Sequence, residues 1–114
     1  MADCIFCKII SREIPAQIVY QDEFVTAFRD INPEAPVHIL VVPNDHMVAL
    51  DQAGQADEGI VGKVFLAVGK MALQEGATAG GYRVVANFGV DAGQVVPHLH
   101  VHLLAGRKFG WPPG

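Results

Sequence analysis

The alternation of apolar and polar residues divides the chain into short strand-like runs and one longer helical run. Strands are predicted where β-branched and aromatic residues lie between turn-like residues, at 17–20, 24–28, 37–42, 82–87 and 98–105. A shorter helix is predicted over 3–14, with Asp3 as its cap and Pro15 as its end. From about Gln55 to Glu75 the spacing changes to that of an amphipathic helix, whose apolar face carries Ile60, Val64, Phe65, Val68, Met71 and Ala72.

This order of elements predicts an α+β fold, in which an antiparallel sheet of about five strands carries one long helix and a short N-terminal helix. The short turns between the first three strands favour a meander. Residues 1–114 are expected to form a single domain, because the chain has one domain's length and no internal repeat. An uncovered sheet edge or face favours continuation of the sheet across a homodimer.

Composition then excludes several classes of protein. A hydrophobic fraction of 51% and a charged fraction of 18% predict a folded domain rather than a disordered chain. The net charge of −4, without a lysine or arginine block, argues against a nucleic-acid surface, and no apolar run is long enough to span a membrane. The N-terminus does not resemble a signal peptide, so the expected location is the cytoplasm.

The candidate chemistry lies in three histidines that alternate along the last predicted strand. His98, His100 and His102 are expected to share one face at about 7 Å intervals, with apolar residues facing the core between them. A plain solvent-facing strand is one interpretation, but such faces usually carry threonine, lysine, glutamate or serine. The alternation fits zinc ligands, and it fits an imidazole that acts as nucleophile or base; spacing alone does not separate these two.

The loop before these histidines favours anion chemistry. Gly89 and Gly93 let backbone N–H groups approach phosphate oxygens, and the amides of Asn87 and Gln94 add neutral donors. A site rich in imidazoles and neutral donors, and poor in carboxylates, suits an anion better than a divalent cation. Phosphoryl or nucleotidyl chemistry is therefore predicted.

The segment 93–104, Gly-Gln-Val-Val-Pro-His-Leu-His-Val-His-Leu-Leu, resembles the motif of the histidine triad (HIT) family, in which three histidines alternate with apolar residues. The resemblance covers nearly the whole chain and includes 5–10, 13–15, 27–31, 36–38, 42–43 and the terminal Gly-Trp-Pro-Pro-Gly at 110–114. That tail is similar to the nucleotide-binding branch of the family, whose members act as purine nucleoside phosphoramidases.

The resemblance implies a role for each histidine. His100 matches the nucleophile that takes the nucleoside phosphate onto its ring, which gives a covalent nucleotidyl-histidine that water then releases. His38 matches a residue that supports the nucleophile, and His102 matches a phosphate contact and proton donor near the leaving amine. His98 is implied to be structural. Donors to the phosphate are implied at three further positions, Asn87, Gly93 and Gln94.

The resemblance also implies a nucleotide pocket, in which Asp30 matches the carboxylate that accepts hydrogen bonds from the ribose hydroxyls. Trp111 belongs to a C-terminal arm, 106–114, which in the family reaches toward the site of the partner subunit. The apolar slot for the purine is implied by residues that, without the resemblance, read as ordinary core: Ile5, Phe6, Ile9, Ile14, Phe28 and Ile31.

Two positions depart from the family pattern. Val95 stands where this branch usually has serine beside the scissile bond, so we predict weaker or altered handling of the leaving group with activity retained. Arg29 precedes the ribose carboxylate, where histidine is common, and is expected to alter the rim of the pocket.

Cys4 and Cys7 raise a separate question, because two cysteines are too few for a disulfide scaffold. In a reducing compartment such a C-x-x-C pair is a buried apolar pair, a redox pair or half of a metal site. Some bacterial HIT proteins hold zinc, and the set that matches theirs here is Cys4, Cys7, His46 and His98. The resemblance thus implies a structural zinc behind the triad and no cofactor for catalysis.

The chain is therefore predicted to be a dimeric enzyme that hydrolyses purine nucleoside phosphoramidates, with AMP or GMP linked through P–N, and that binds neither nucleic acid nor membrane. A dinucleoside polyphosphate hydrolase of the same superfamily is the nearest alternative, and the Trp-Pro-Pro-Gly tail favours the phosphoramidase. A nucleotide-binding scaffold with vestigial turnover is the alternative from another class, and the intact histidine set argues against it. A metal-dependent hydrolase is a further alternative. A chelator distinguishes it, because chelation should abolish the activity of a metal-dependent hydrolase but not that of an enzyme with a histidine nucleophile.

Overall fold

The computed structural model describes residues 4–114, and its strands form one five-stranded antiparallel sheet. The helices are α1 (Ile5–Ile10) and α2 (Glu58–Gln74), and two short 3₁₀ turns lead into α2. The strands are β1 (Ile18–Gln21), β2 (Val25–Arg29), β3 (Val37–Pro43), β4 (Tyr82–Val85) and β5 (Val101–Ala105). The predicted α+β fold, with one long helix and a short N-terminal helix, is confirmed. None of the described helices is long and apolar enough to cross a membrane.

The sheet has the order β1-β2-β3-β5-β4, and its first three strands form the predicted antiparallel meander. The last two strands enter in reverse order, because β5 pairs with β3 while β4 lies outside β5 as an edge strand. In this register His38 of β3 is opposite Leu104, and Leu40 is opposite His102. Two histidines from distant segments thereby become diagonal neighbours on one face of the sheet.

Alternation along β3 gives the two faces of the sheet separate cores. Ile39 and Val41 point toward α2 and belong to the larger core. Leu40 and Val42 point the other way, into a second core that α1 covers. The other buried members of this second core are Cys4, Phe6, Ile9 and Phe28.

The same alternation determines which way the triad faces. Every second residue over 99–103 is buried in the core under α2. The intervening histidines therefore lie on the face that carries α1, where the rings of His98 and His100 contact Phe6. This face is consequently the candidate functional face of the sheet.

The last strand was predicted to begin at His98, but regular strand structure in β5 begins only at Val101. The preceding backbone bonds to a loop instead of to β3: the Leu99 N–H donates to the carbonyl of Met47. The ring of His98 also donates to the carbonyl of Pro43. The first two histidines are therefore held by loop contacts, although the alternation of faces continues through them.

Other boundaries also differ from the prediction. The proposed cap Asp3 lies outside the described residues, and α1 is capped by the Cys4 thiol, which accepts from the Cys7 N–H. The helix ends at Ile10 because Arg12 adopts a left-handed φ of 65°. Phe65 was predicted for the core face of α2, but its side chain is 47% exposed because it lies at the border of that face.

Candidate active site

A cleft of about 620 Å³ opens on the face of the sheet that carries α1 and the triad. Three predicted catalytic histidines, His38, His100 and His102, line this cleft. Most residues predicted for the nucleotide line it as well: Ile5, Phe6, Ile9, Ile14, Phe28, Asp30, Ile31, Asn87, Gly93 and Val95. The cleft thus joins an apolar half, beside α1, to a polar half beside the triad.

The apolar half is built by α1 together with apolar residues of the segment that follows it and of strands β2 and β3. Phe6 and Ile9 are buried, and the Phe6 ring meets the Phe28 ring edge to face with centroids 5.3 Å apart. These walls can receive a flat apolar ring, as small-molecule pockets commonly do. Six lining residues were not predicted as site residues, because neither ordinary apolar side chains nor polar residues in a turn give a functional signal by themselves: Pro15, Ala16, Asn32, Glu34, Leu40 and Val96.

Hydrogen bonds assign the proton on two of the imidazoles. The backbone N–H of Glu34 donates to Nδ1 of His38 at 3.0 Å, so the proton of a neutral His38 ring is on Nε2. That nitrogen lies 2.9 Å from Nδ1 of His102 and donates to it. His102 therefore carries its own proton on Nε2. The resemblance implied that His38 supports the nucleophile, whereas the histidine to which its ring donates is His102.

Burial keeps both of these rings neutral near pH 7. It lowers the pKa of His38, and the nearby carboxylates of Asp30 and Glu34 only partly oppose this effect. Burial is also the main cause that lowers the pKa of His102 to about 4, and the neighbouring His100 and His38 lower it further. A neutral His102 presents one N–H donor to an anion in the cleft.

His100 is fixed in the opposite tautomer. Its Nδ1 lies 2.7 Å from the backbone carbonyl of His98, and a carbonyl only accepts, so the ring proton is on Nδ1. The lone pair on Nε2 is consequently free. The rings of His100 and His102 are 5.1 Å apart, which places a free imidazole nitrogen and an imidazole N–H donor side by side in one cleft.

Asp30 lies at the end of β2, where the cleft changes from apolar to polar. Its Oδ1 accepts from the Asn32 N–H at 2.8 Å, and its Oδ2 lies 3.5 Å from Nε2 of His38. The second oxygen therefore retains capacity to accept a hydrogen bond from a ligand hydroxyl. Arg29 also lines the cleft, but its guanidinium is bonded to Glu75 of the segment that follows α2.

The glycine-bearing loop borders the polar half of the cleft. Gly93 has a φ of 86°, a conformation that glycine adopts without strain, and it lines the cleft together with Asn87. Gln94 does not line the cleft, contrary to the predicted donor role. Its Oε1 accepts from the Gly89 N–H and its Nε2 donates to the carbonyl of Val48. The side chain therefore stabilises the loop by linking it to the segment before α2.

A second cluster lies behind the triad. Nδ1 of His98 is 3.3 Å from the Cys4 sulfur and 3.6 Å from the Cys7 sulfur, and Nδ1 of His46 is 3.4 Å from the Cys7 sulfur. The four ligand atoms all lie within 4.8 Å of one another. In a tetrahedral zinc site with ordinary bond lengths, neighbouring sulfur and nitrogen ligands are about 3.5 Å apart. The four predicted metal ligands therefore fit zinc in both chemistry and spacing.

Residues 11–109 match the family model of the HIT domain, which covers most of the chain. The chain belongs to the HIT family. The Escherichia coli K12 protein named purine nucleoside phosphoramidase is 47% identical over 108 residues, which are 95% of this chain and 91% of that protein. An uncharacterized HIT-like protein of Synechococcus elongatus is 53% identical over 112 residues, which are 98% of this chain and 97% of that protein.

Solved HIT structures agree with this membership. The crystal structure of a HIT family hydrolase from Legionella pneumophila Philadelphia 1 has a TM-score of 0.96 at 42% identity, and the match covers 98% of this chain and 100% of that one. A HIT family hydrolase from Clostridium thermocellum gives 0.93 at 44% identity, with 96% of each chain covered. The predicted family and the prediction that the chain is a hydrolase of this family are confirmed.

The C-terminal arm of this HIT protein lies apart from the cleft of its own chain. Trp111 is 84% exposed and does not line the cleft, so the described chain alone does not bring it to the nucleotide-binding position predicted for it. The arm is attached to the edge strand, since Arg83 of β4 donates to the carbonyl of Gly110 at 2.9 Å. The guanidinium groups of Arg83 and Arg107 also lie over the ring of Phe109.

Proposed function

We propose that this HIT protein hydrolyses purine nucleoside phosphoramidates through a nucleotidyl group on Nε2 of His100. The observation that carries the proposal is the pair of fixed tautomers: His100 offers a lone pair and His102 offers a proton donor in the same cleft. The apolar wall on α1 suits a purine, and Asp30 at its edge suits the ribose hydroxyls. The name of the E. coli relative, purine nucleoside phosphoramidase, supports the same substrate class.

The proposed reaction has two displacements at phosphorus. In the first, Nε2 of His100 forms a bond to phosphorus while the P–N bond breaks, and the charge on the ring is stabilised by the Nδ1–H bond to the His98 carbonyl. The bound phosphoryl anion favours uptake of one solvent proton by the hydrogen-bonded His38–His102 pair, and His102 gives its Nε2 proton to the leaving amine, which leaves the pair neutral. In the second, water attacks phosphorus, the bond to His100 breaks, and a water proton returns to His102.

The decisive experiment uses a fluorogenic adenosine phosphoramidate and follows both turnover and the mass of the protein. We expect turnover by the parent chain and, after rapid quench in alkaline denaturant, which preserves a P–N bond, an adduct of one nucleotidyl group on His100. A His100→Ala variant should lose about 10³-fold or more in kcat and form no adduct. A matched control, Val90→Ala, changes an exposed loop residue that does not line the cleft. Equal turnover by His100→Ala and the parent would refute the proposal.

A metal-dependent hydrolase is a second candidate function. It is suggested by potential metal-ligand atoms that lie within 4.8 Å of one another on Asp30, His38 and His102. Both nitrogens of His38 already have partners, which favours the imidazole mechanism. A chelator should abolish the activity of a metal-dependent hydrolase. The proposed histidine mechanism should instead retain its activity in chelated protein that remains folded.

We further propose that Cys4, Cys7, His46 and His98 hold a structural zinc ion, since the donor set and its spacing fit that ion. Zinc there adds no chemistry to the reaction; it fixes the segment that precedes the nucleophile. Metal analysis of protein purified without chelator should give close to one equivalent, and less than about a tenth of an equivalent contradicts the site. The free thiols also favour a reducing compartment, in keeping with a proposed cytoplasmic location.

We also propose that two copies pair through the outer side of α2 and the edge of the sheet. An apolar stripe runs along the outer side of α2 from the border of its buried face, and it consists of Gly62, Phe65, Leu66, Gly69 and Leu73. Strand β4 is an unpaired edge within the described chain, and Tyr82 and Val84 on it are exposed. The arm with Trp111 is attached to this same strand, so pairing at β4 brings the arm toward a second copy.

A further inference from the structure

The thiol–imidazole cluster and the nucleotide cleft share the same helix. Cys4 caps α1 and Cys7 lies in its first turn, and both sulfurs contact Nδ1 of His98. Ile5, Phe6 and Ile9 of the same helix line the cleft. One six-residue helix, with its cap, therefore provides both a pair of candidate metal ligands and part of the apolar wall of the pocket.

The first connection between the cluster and the cleft runs through His98. Its Nδ1 faces the two sulfurs, while its Nε2–H donates to the carbonyl of Pro43 at 2.9 Å, so the ring is fixed between the cluster and the end of β3. The backbone carbonyl of the same residue accepts the Nδ1–H of His100 at 2.7 Å. A shift of His98 consequently changes the acceptor that holds His100 in its reactive tautomer.

The second connection runs through Phe6, which lies in sequence between the two cysteines. Its ring is 7% exposed, and its centroid is 5.1 Å from that of His100 and 6.0 Å from that of His98, edge to face in both cases. On its other side the ring contacts Phe28, another wall of the cleft. Displacement of the first turn of α1 therefore moves a ring that contacts both the nucleophile and the pocket.

We propose that occupation of the Cys4–Cys7–His46–His98 cluster by zinc raises the affinity of the cleft for a nucleoside monophosphate, with Phe6 as the positioning residue that couples the two. A helix of six residues is too short to be stable by itself, so tertiary anchors determine how well α1 is ordered. Zinc anchors its first turn to His98 and to the 44–49 loop. The purine then binds a wall that is already ordered and loses less conformational freedom on binding. This inference rests on the proposed zinc site and on the proposed nucleotide cleft.

The test measures AMP binding by titration calorimetry with zinc-loaded protein and with the same protein after chelation and removal of the chelator. We expect the Kd for AMP to be about tenfold higher without zinc, a typical size for coupling between sites. By reciprocity, saturating AMP should tighten zinc binding by the same factor, measured by competition with a chromophoric chelator. Amide hydrogen exchange in 5–10 should also slow when zinc binds, which gives a readout independent of turnover.

A Phe6→Leu variant tests whether this ring couples zinc binding to AMP binding without loss of the fold. It keeps an apolar wall and both cysteines, so it should still bind zinc, but the ratio of AMP affinities with and without zinc should fall toward one. Lys8→Ala, on the same helix but absent from the cluster and the cleft, should keep the full ratio. If chelation unfolds the parent, His46→Ala is compared with the parent without chelation, because loss of the ligand in the 44–49 loop should weaken zinc binding while Cys4, Cys7 and His98 remain, and its Kd for AMP should then be higher than that of the parent.

The outcomes separate the two proposals. Failure of both zinc-loaded and chelated protein to bind AMP refutes the proposed function. Equal AMP affinity in both forms, with zinc stoichiometry near one in the loaded form, leaves that function standing and overturns the coupling. Full coupling retained in Phe6→Leu overturns the role of that ring.

Discussion

At the scale of single residues, His102 shows how burial and hydrogen bonding set the state of a side chain. Burial, followed by the neighbouring His100 and His38, lowers its pKa to about 4, whereas a histidine in an unfolded chain titrates near 6.5. Between these values the unfolded chain binds more protons than the folded one, so stability increases with pH across this window. The contribution of neutral His102 to the free energy of unfolding is fully present above about pH 6.5 and is lost as the pH falls toward 4.

We therefore predict that the free energy of unfolding decreases between about pH 6.5 and about pH 4, and that a His102→Asn variant loses part of this decrease. Each unit of pKa difference corresponds to about 1.4 kcal/mol. Urea unfolding of both proteins at several pH values within the window measures the effect. Val90→Asn serves as a control that adds the same side chain at an exposed position. An unchanged pH dependence in His102→Asn would show that this ring does not titrate as described.

Val95 gives a prediction about the leaving group. Its side chain is 89% exposed and lines the cleft, but it offers no donor beyond its backbone N–H. A Val95→Ser variant should turn over phosphoramidates about tenfold faster or more, because one added hydrogen bond to a charged group contributes roughly 1.5–3 kcal/mol. Val90→Ser, in the same loop but outside the cleft, should leave the rate unchanged. The same kcat/KM in Val95→Ser and the parent contradicts the prediction.

The sequence predicted the identity of most cleft residues but not their partners. An extended backbone alternates its side chains even where it lacks pairing to a neighbouring strand, so the shared face of His98, His100 and His102 was predictable. Gln94 lies in a loop, where the direction of a side chain depends on tertiary contacts, and its amide turns away to bond Val48. The bond from His38 to His102 depends on the register of β3 with β5, which local sequence does not encode.

At the scale of elements, the turn after β5 depends on one glycine. Gly106 has a φ of 96°, and a Cβ at this position would lie 2.8 Å from Cβ of Pro36, just before β3. Gly106→Ala should therefore destabilise the fold by about 2–4 kcal/mol, from backbone strain together with overpacking. The measurement is the change in unfolding free energy in urea.

Gly59→Ala is the matched control for this prediction. Gly59 lies in the first turn of α2, and a Cβ there would meet no atom within 4 Å. Alanine is the better helix former, so this substitution should be neutral or stabilising by up to about 1 kcal/mol. Similar losses of stability in the two variants would contradict the strain assigned to Gly106.

Element types were predictable here, whereas their ends were not. Periodicity distinguishes α2 from the strands because each pattern extends over several residues. The ends depend on single contacts, such as the left-handed Arg12 that ends α1 and the bond from Leu99 to Met47 that delays β5. The order β3-β5-β4 was also missed, because a meander and an inserted strand pair have the same local sequence signals.

At the scale of the whole molecule, the apolar stripe on α2 distinguishes a monomer from the proposed dimer. Leu66 and Leu73 in that stripe are 76% and 70% exposed, although helix α2 has its other face in the main core. Isolated exposed apolar side chains are ordinary, but a continuous stripe on one helix marks an interaction surface. A second copy of the chain is the proposed occupant, because the stripe is accompanied by an unpaired edge strand with exposed Tyr82 and Val84.

Light scattering coupled to gel filtration tests this surface, and the parent should elute with the mass of two chains. Leu66→Glu should elute as one chain at the same concentration, because dimerisation would bury an unpaired carboxylate in each subunit and weaken association by about 100-fold or more. Val90→Glu makes the same chemical change at a position that is 92% exposed and distant in sequence from the stripe, and it should remain dimeric. If Leu66→Glu also remains dimeric, the stripe is not the interface. If the parent itself has the mass of one chain, the arm that carries Trp111 has no partner site to reach.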